Sequence, residues 1–443
     1  MIEPRGIRDL VASRFRDLGI DEWVLVVRSR ESTMAKFANN AITVVQYWNS
    51  TSVEIYAARD SRIAHAQGFV SSADDCLSMA NRVAESLSKV EPSPLYAPLP
   101  EPSGKPLQGT VDPRIRDRSD DVLSTLPQLI DEALRSGAER VAGTLEFGYE
   151  ERTVYTSKGF EGTQPRTYLK AYARAFKGEN SGHWAWGSTR FDEHRLAEVG
   201  HIAGEFASTN LPVANVEPGE YQAILSPLVV GNLVNTMALM SSALLVLMGA
   251  SMFAKLEPGQ RVFSENFTLV DAPLDSSLPN ASGFDDEGVA CRNKPIVKRG
   301  VFKTLLHNSK TAKRMNAALT GNAGLFMPTP WNLVIEAGSD SLDNLIKDVK
   351  RGFLVLNNWY TRMQNWIEGM FSTVTRDALI YIENGEPKAL CRRLRIADTY
   401  RNVFSRVAAL TKDTYSVWWW EVDIPTRSPY ILIERARFTR PEA

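Results

Sequence analysis

The segment Tyr221–Phe253 constrains the fold most strongly, because it contains no Asp, Glu, Lys or Arg. Its apolar residues would surround a helix on all sides, which is typical of a helix buried in a protein core. A membrane span needs about twenty apolar residues, but Pro227 and several Asn and Ser residues interrupt this segment and no basic anchors flank it. The pattern predicts a short strand, Tyr221–Ser226, followed by a buried central helix that begins near Pro227. The first turns of that helix present Asn232 and Asn235, which form hydrogen bonds but are poor catalytic groups.

Length and charge limit the class of protein. A chain of 443 residues is too long for one hydrophobic core and predicts two or three domains. The net charge of −1 gives no basic field, so we expect neither nucleic acid nor a membrane as a partner. The three cysteines are widely spaced and form no CxxC pair, which favours a reducing compartment. The N-terminal residues lack the apolar core of a signal peptide, so we expect a cytoplasmic protein.

Residues 1–210 predict an α+β domain built from two similar halves. In each half a helix precedes an antiparallel β-meander, and a second helix follows the meander. The proline-rich residues 91–113 separate the halves as an extended linker. The two meanders can join in one sheet. Turn signals in the first meander lie at Arg30–Glu31, Asn39–Asn40, Asn49–Ser50 and Asp60–Ser61.

Residues 211–443 predict a second, mixed α+β domain, in which an antiparallel, barrel-like sheet surrounds the central buried helix. Hairpin turns are indicated at Arg299–Gly300 and Asn384–Gly385. A helix is predicted over about Asp398–Leu410. The sequence Trp418–Trp420 predicts a strand, in which at least one of the three rings lies on the opposite face from the others.

The histidines offer one candidate metal site. None of the five forms HExxH or the longer HExxxH. His194, Glu198 and His201 lie at i, i+4 and i+7 on a predicted helix, so they share one face and two or three of them could bind a metal. A solvated polar helix face produces the same spacing, and we prefer that interpretation.

Other candidate groups also have a simpler explanation. Cys291 could act as a nucleophile with His307, but the carboxylates of Asp285, Asp286 and Glu287 would raise the thiol pKa, so a structural cysteine is preferred. The three acids could bind a cation or hold a loop, and they lack the spaced oxygens of an EF-hand. The sequence TGNAG lacks the lysine of a phosphate-binding loop, and no GxSxG motif is present. The residues alone therefore indicate no catalytic set.

Five stretches of the second domain have a characteristic order and spacing: GFDDEG (283–288), GVFKTLLHNSKTAKRM (300–315), TGNAG (320–324), PWNLVIEAGSDSLDNLIKDVKRGFLV (330–355) and FSTVTRDALIYIENGE (371–386). In these stretches the chain resembles the TldD/PmbA family, first described as modulators of DNA gyrase and viewed as zinc metallopeptidase complexes. The N-terminal order of helices and meanders also fits that family.

The resemblance carries expectations about the site. In the TldD branch an HExxxH motif opens the central helix and a C-terminal cysteine completes the zinc site. The motif falls on Asn232–Met237 here, with Asn232 and Met237 at the histidine positions and Leu233 at the glutamate position. The cysteine would fall near Tyr415. The chain thus resembles the PmbA (TldE) branch, which implies a dimer with an unfolded peptide in an enclosed groove.

Three functions follow as hypotheses. The first is a non-catalytic subunit that carries no cofactor and joins a TldD-like, zinc-bearing partner to process or degrade unfolded peptides. The second is a homodimeric peptide- or protein-binding protein without peptidase activity. The third is a stand-alone hydrolase that uses His194, Glu198 and His201. The candidate residues for a substrate cleft are Asn232, Asn235, Asp285 and Asp286.

Overall fold

The computed structural model describes residues 3–117, 119–392 and 394–440. Its N-terminal part contains the predicted order of helix, meander and helix twice. The elements are α1 (Pro4–Asp17), β1 (Glu22–Ala38), β2 (Ala41–Arg59), β3 (Arg62–Phe69), α2 (Ala73–Lys89), α3 (Pro113–Asp117), α4 (Ser119–Ser124), α5 (Leu126–Arg135), β4 (Arg140–Thr156), β5 (Glu161–Lys177), β6 (Asn180–Ser188) and α6 (Glu193–Ala207).

The two meanders form one antiparallel sheet with the strand order β3-β2-β1-β4-β5-β6. The joining strands β1 and β4 are each 17 residues long and pair with each other without a register shift. Leu25 and Val27 of β1 pack in one core with α1 and α2, while Ala35 on the same face packs in a second core with α5 and α6. Since side chains alternate along a strand, Val24 and Val26 face the other way, where they pack against loops of the C-terminal part.

Two of the four turns predicted in the first meander are wrong. The turns at Asn39–Asn40 and Asp60–Ser61 are confirmed, and all four residues have positive φ between 50° and 67°. Arg30–Glu31 and Asn49–Ser50 instead lie inside β1 and β2, where Arg30 pairs with Ser50 and Glu31 with Asn49. The polar residues that suggested a turn face one another across the same ladder, so the strands continue through them.

The C-terminal part contains the remaining elements. They are β7 (Gly219–Leu225), α7 (Pro227–Leu239), α8 (Ala243–Leu247), β8 (Leu269–Asp271), β9 (Lys294–Lys298), β10 (Val301–Phe302), α9 (Ser309–Met315), β11 (Leu333–Ile335), α10 (Leu342–Asp348), β12 (Arg351–Asn365), β13 (Met370–Glu383), β14 (Glu386–Leu390), β15 (Arg395–Thr399), α11 (Tyr400–Phe404), β16 (Val407–Leu410), β17 (Tyr415–Trp419), β18 (Val422–Ser428) and β19 (Ile431–Thr439).

A closed barrel organises this part, as the sequence predicts, but one of its strand pairs, β7 with β12, is parallel and not antiparallel. Strands follow the order β12-β7-β19-β15-β13-β14, and β12 also pairs with β13, so five strands close on themselves. A second sheet has the order β10-β9-β8-β11-β18-β17. Helix α7 contacts β12 of the barrel and β17 and β18 of the second sheet. It therefore sits where the two sheets meet, and its apolar residues share one core with the barrel.

The predicted strand at Tyr221–Ser226 and the first half of the buried helix are confirmed by β7 and α7. The helix ends at Leu239, however, and in the short helix α8 and the turn after it Leu247 and Met248 are exposed. Every residue of α7 except Thr236 and Leu239 is buried. The Ser226 hydroxyl accepts a hydrogen bond from the Val229 N–H at 3.4 Å, and Pro227 occupies the first turn. Along the described parts of the chain, no helix combines the length and hydropathy that a membrane crossing requires.

The hairpin turns at Arg299–Gly300 and Asn384–Gly385 are confirmed, with positive φ at all four residues. The helix predicted over about Asp398–Leu410 is wrong at both ends, since Asp398 and Thr399 still belong to β15. Only Tyr400–Phe404 is helical, and Val407–Leu410 forms strand β16, which pairs with β19. Pairing with the barrel thus overrides the local helical pattern.

Candidate functional site

Asn232 lies at the centre of a buried polar network beside α7. Its Nδ2 donates to the backbone oxygen of Glu421 at 2.8 Å and to Glu421 Oε2 at 3.2 Å. Its Oδ1 accepts from Asn358 Nδ2 at 2.8 Å and from Thr361 Oγ1 at 2.6 Å. The two donors and two acceptor positions of this amide are all used. Asn232 is 5% exposed, so the network fixes its orientation within the core.

The network continues into β13 and toward the surface. Asn358 Nδ2 also donates to Thr373 Oγ1 at 2.9 Å, and Thr373 Oγ1 donates to the backbone oxygen of Trp359 at 3.2 Å. Glu421 Oε1 accepts from the Tyr360 N–H at 3.2 Å, and burial raises the pKa of Glu421.

Exposed aromatic side chains surround this polar network. Trp359, Tyr360 and Trp420 are 38%, 52% and 47% exposed, and we call these three residues the aromatic rim. Tyr360 has φ +57° and lies at a register shift in the pairing of β12 with β13, between Trp359 and Arg362. The Arg376 guanidinium lies 4.6 Å from the centre of the Trp359 ring. Trp359 follows Asn358 and Trp420 precedes Glu421 in the chain, so exposed rings adjoin the network and can stack on a bound chain.

The other residues at the expected zinc positions pack against neighbouring side chains. Leu233 and Met237 are fully buried in the barrel core. Tyr415 lies on β17, where its ring meets the Trp184 ring edge-on at 5.2 Å. Neither an amide with all its hydrogen bonds used nor a leucine in a hydrophobic core can bind Zn²⁺. These residues therefore do not fit a zinc ion, and no reaction step through a metal follows from them.

Asn235 anchors β18 to the central helix. Its Oδ1 accepts from the Ile424 N–H at 2.7 Å, and its Nδ2 donates to Thr426 Oγ1 at 2.9 Å and to the Ile424 oxygen at 3.1 Å. The side chain is 9% exposed. These three bonds give it a packing role one turn below Asn232.

The acids of GFDDEG are buried and hold loops together. Asp285 accepts from the N–H groups of Glu287, Val289 and Ala323 at 2.9–3.0 Å, and burial raises its pKa to about 8. Asp286 accepts from Arg152 of β4. Glu287 accepts from Ser309 N–H at 2.9 Å and Ser309 Oγ at 2.6 Å. Asp286 thus joins the N-terminal sheet to the C-terminal loops, and Asp285 holds those loops together. Both lie in a different set of contacts from Asn232 and Asn235.

The histidine helix does not assemble a metal site. His201 Nδ1 lies 2.9 Å from Ser136 Oγ on the α5 side, whereas Glu198 Oε2 accepts from Arg195 at 2.8 Å. His194 is exposed at the start of α6. Among the described residues, no three His, Cys, Asp or Glu side chains are grouped so that they could hold a metal ion.

Cys291 is a buried thiol whose Sγ contacts the Gly321 oxygen of TGNAG at 3.2 Å. Burial raises the pKa of Cys291 well above its usual value, and burial lowers the pKa of His307. The same loop holds Asp271, which accepts from Asn322 Nδ2 at 2.7 Å. A protonated buried thiol is a poor nucleophile, so this region also has a structural explanation.

Sequence reasoning missed Glu421, Asn358, Thr361 and Thr373, which complete the network around Asn232. They come from β12, β13 and the turn after β17, more than one hundred residues beyond α7. The only available signal was the pair Asn357–Asn358, two amides at the end of an apolar strand. No local spacing rule connects them to Asn232.

Comparisons with known proteins agree with this architecture. Two parts of the chain match descriptions of one family: the PmbA/TldA metallopeptidase central domain over residues 113–211 and the C-terminal domain over residues 218–440. A metalloprotease of Methanocaldococcus jannaschii is 28% identical over 318 residues, which are 68% of this chain and 68% of that protein. A PmbA homologue described as a metalloprotease in Buchnera aphidicola is 24% identical over 154 residues, 34% of this chain and 33% of that protein.

Solved structures share the fold over the whole chain. TldE from Thermococcus kodakarensis superposes with a TM-score of 0.85 at 20% identity, covering 98% of this chain and 99% of that chain. A Thermotoga maritima protein described as a modulator of a DNA gyrase has a TM-score of 0.83 at 20% identity, covering 98% and 100%. With two matched regions that together span most of its length, the chain belongs to the TldD/PmbA metallopeptidase family.

Proposed function

We propose that this chain is a non-catalytic, TldE-like subunit of a zinc metallopeptidase complex that processes or degrades unfolded peptides in the cytoplasm. A TldD-like partner would supply the zinc ion and the general base. One observation carries the proposal: the position expected for the first zinc ligand holds Asn232, whose amide is fully engaged by Glu421, Asn358 and Thr361. The neighbouring expected positions are apolar and buried.

The surroundings of this network support a role in substrate binding. The aromatic rim can stack on peptide side chains, and the Glu421 carboxyl lies within reach of the same surface. Residues 41–49 of β2 pair with β1 on one side, and no described strand pairs with them on the other. An extended peptide can bind such an edge by adding a strand, which suits an unfolded substrate.

Metal analysis and peptide hydrolysis test the proposal. The purified chain is measured alone, and then mixed in equal amounts with a TldD-like subunit that carries HExxxH. We expect no stoichiometric zinc and no hydrolysis from this chain alone, and hydrolysis on mixing that exceeds that of the partner alone. Stoichiometric zinc together with hydrolysis by the isolated chain would overturn the proposal. Peptide binding without any hydrolysis on mixing would favour a homodimeric binding protein instead.

A matched pair of variants tests the aromatic rim. Trp420→Ala removes an exposed ring beside the network, and Phe69→Ala removes a ring that is 79% exposed at the end of β3. We expect Trp420→Ala to raise the KM of the mixed complex and Phe69→Ala to leave it unchanged. Equal effects of the two variants would remove the rim from the substrate-binding surface.

A further inference from the structure

A cavity of about 370 Å³ lies on the side of the sheet that faces the C-terminal part. Its walls come from β2 and β3, from α8, from the first residues of α9 and from the loop at Leu325–Phe326. The lining is mainly apolar, and Phe326 and Met248 at its mouth are 71% and 67% exposed. A volume of this size is within the range of small-ligand pockets, roughly 300–1,000 Å³.

Two buried polar groups of the cavity lining have no partner. Tyr56 is 2% exposed and Asn308 is 1% exposed, and both line the cavity. Among the described residues, neither the Tyr56 hydroxyl nor Asn308 Nδ2 finds a hydrogen-bond partner. Burial raises the pKa of Tyr56, so its hydroxyl keeps its proton and can donate. Since an unpaired buried donor costs free energy, both groups are suited to a ligand oxygen.

The charges of the residues that line the cavity indicate which kind of ligand oxygen is favoured. Lys310 lines the cavity, but its Nζ already lies 3.5 Å from Glu287 Oε1 and 4.3 Å from the centre of the Tyr56 ring. His65, the other basic residue of the lining, lies 3.7 Å from Glu54. Each basic residue thus already has an acidic neighbour. A ligand carboxylate would add a charge without a counterion in a largely apolar site, whereas a neutral carbonyl would not.

We infer that this cavity binds one apolar residue of a peptide, with the side chain among the apolar walls and the backbone carbonyl accepting hydrogen bonds from Tyr56 and Asn308. The site uses none of the residues of the Asn232 network. It is therefore independent of the proposed subunit role and is tested on the isolated chain.

The test titrates the full chain with N-acetyl-L-phenylalaninamide, followed by calorimetry or by NMR. We expect saturable binding, weaker binding of N-acetyl-L-phenylalanine because of its carboxylate, and no binding of N-acetylglycinamide. Tyr56→Phe removes only the unpaired hydroxyl, so it should leave the fold intact and weaken binding by about threefold to tenfold. Tyr47→Phe is the control on the same strand, because Tyr47 is 65% exposed and outside the cavity lining.

A second variant tests the cavity itself. Ile63→Trp adds volume at the wall, because Ile63 packs on the same face of the sheet as Tyr56, and it should reduce the affinity by about tenfold or more. The inference fails if the natural chain shows no saturable binding of the amide, as it would if water alone fills the cavity. It also fails if Tyr56→Phe and Ile63→Trp both bind as the natural chain does, or if the carboxylate ligand binds more tightly than the amide.

Discussion

The ion pair between Arg152 and Asp286 gives the sharpest test of how the two parts of the chain are joined. Arg152 of β4 is 2% exposed, and its guanidinium donates to Asp286, to Ser282 Oγ at 2.8 Å and to the Phe284 oxygen at 2.5 Å. It also lies 5.0 Å from the centre of the Trp331 ring. Arg152→Met keeps most of the side-chain volume but removes all three hydrogen bonds.

The expected loss of stability depends on the Asp286 carboxylate, which stays buried after Arg152 is replaced. Removing one partner of a buried ion pair costs about 3–5 kcal/mol, because the other charge stays buried without compensation. Arg28 Nη2 lies 3.8 Å from Asp286 Oδ2 and continues to offset part of that charge. We therefore expect a loss near the lower end, about 3 kcal/mol. Adding Asp286→Leu removes the stranded carboxylate, so the double variant should lose about 2 kcal/mol less than the sum of the single variants.

Urea unfolding followed by tryptophan fluorescence and far-ultraviolet circular dichroism measures these losses, provided that the two transitions coincide. The control is Arg5→Met, which removes an exposed ion pair with Glu161 and should leave the midpoint unchanged. A loss below about 1 kcal/mol for Arg152→Met would refute the reasoning, because the buried ion pair would then contribute no more to stability than an exposed ion pair does. Simple additivity in the double variant would also refute it.

Three further predictions concern the core. Leu233→Glu should not create a zinc site, and it should destabilise the fold by at least about 3 kcal/mol, measured by urea unfolding, because a charge would be buried in the barrel core. Burial lowers the pKa of His183 to about 4. The neutral ring therefore contributes about 3 kcal/mol to the free energy of unfolding above about pH 6.5, and this contribution is lost as the pH falls toward 4. In pH-dependent unfolding, His183→Phe should remove that part of the acid sensitivity, and the control His201→Phe should not. A Cβ at Gly200 would lie 1.9 Å from a carbonyl oxygen of α5, so Gly200→Ala should lower the stability by about 1–3 kcal/mol. Gly6 of α1 has open space around it, so Gly6→Ala should raise the stability by about 0.5–1 kcal/mol. Thermal unfolding measures both variants, and a shift of the midpoint in the same direction would contradict the packing argument.

Much of the architecture could be predicted because local chemistry determined it. Asn39–Asn40 and Asn384–Gly385 adopt positive φ readily, so both turns follow from residue type alone. The uncharged segment is buried along α7, as its composition predicts, whereas Leu247 and Met248 near its end are exposed. The failures lie where long-range pairing decides: Arg30–Glu31 continues a strand because both edges of β1 are paired, and Val407–Leu410 becomes a strand because β19 lies beside it.

The candidate site was predictable only in part. The resemblance pointed to Asn232, and the structure places that residue in a buried network near the surface. Its partners Glu421 and Asn358 are joined to it by the closure of the barrel and by the turn after β17. Their role depends on the three-dimensional packing of distant segments, which no motif in a single sequence encodes.

The joining of β1 and β4 has a consequence for the origin of the N-terminal sheet. The tenth residues of these two 17-residue strands, Glu31 and Tyr149, are direct register partners. Corresponding residues therefore pair about one centre, as a local two-fold axis requires. A single helix–meander–helix unit would carry a self-complementary edge along its first strand, and two separate copies would associate through it as an isologous dimer. Fusion of two such copies into one chain would place that interface in the middle of the sheet, with β3 and β6 as the outer strands, which is the strand order observed.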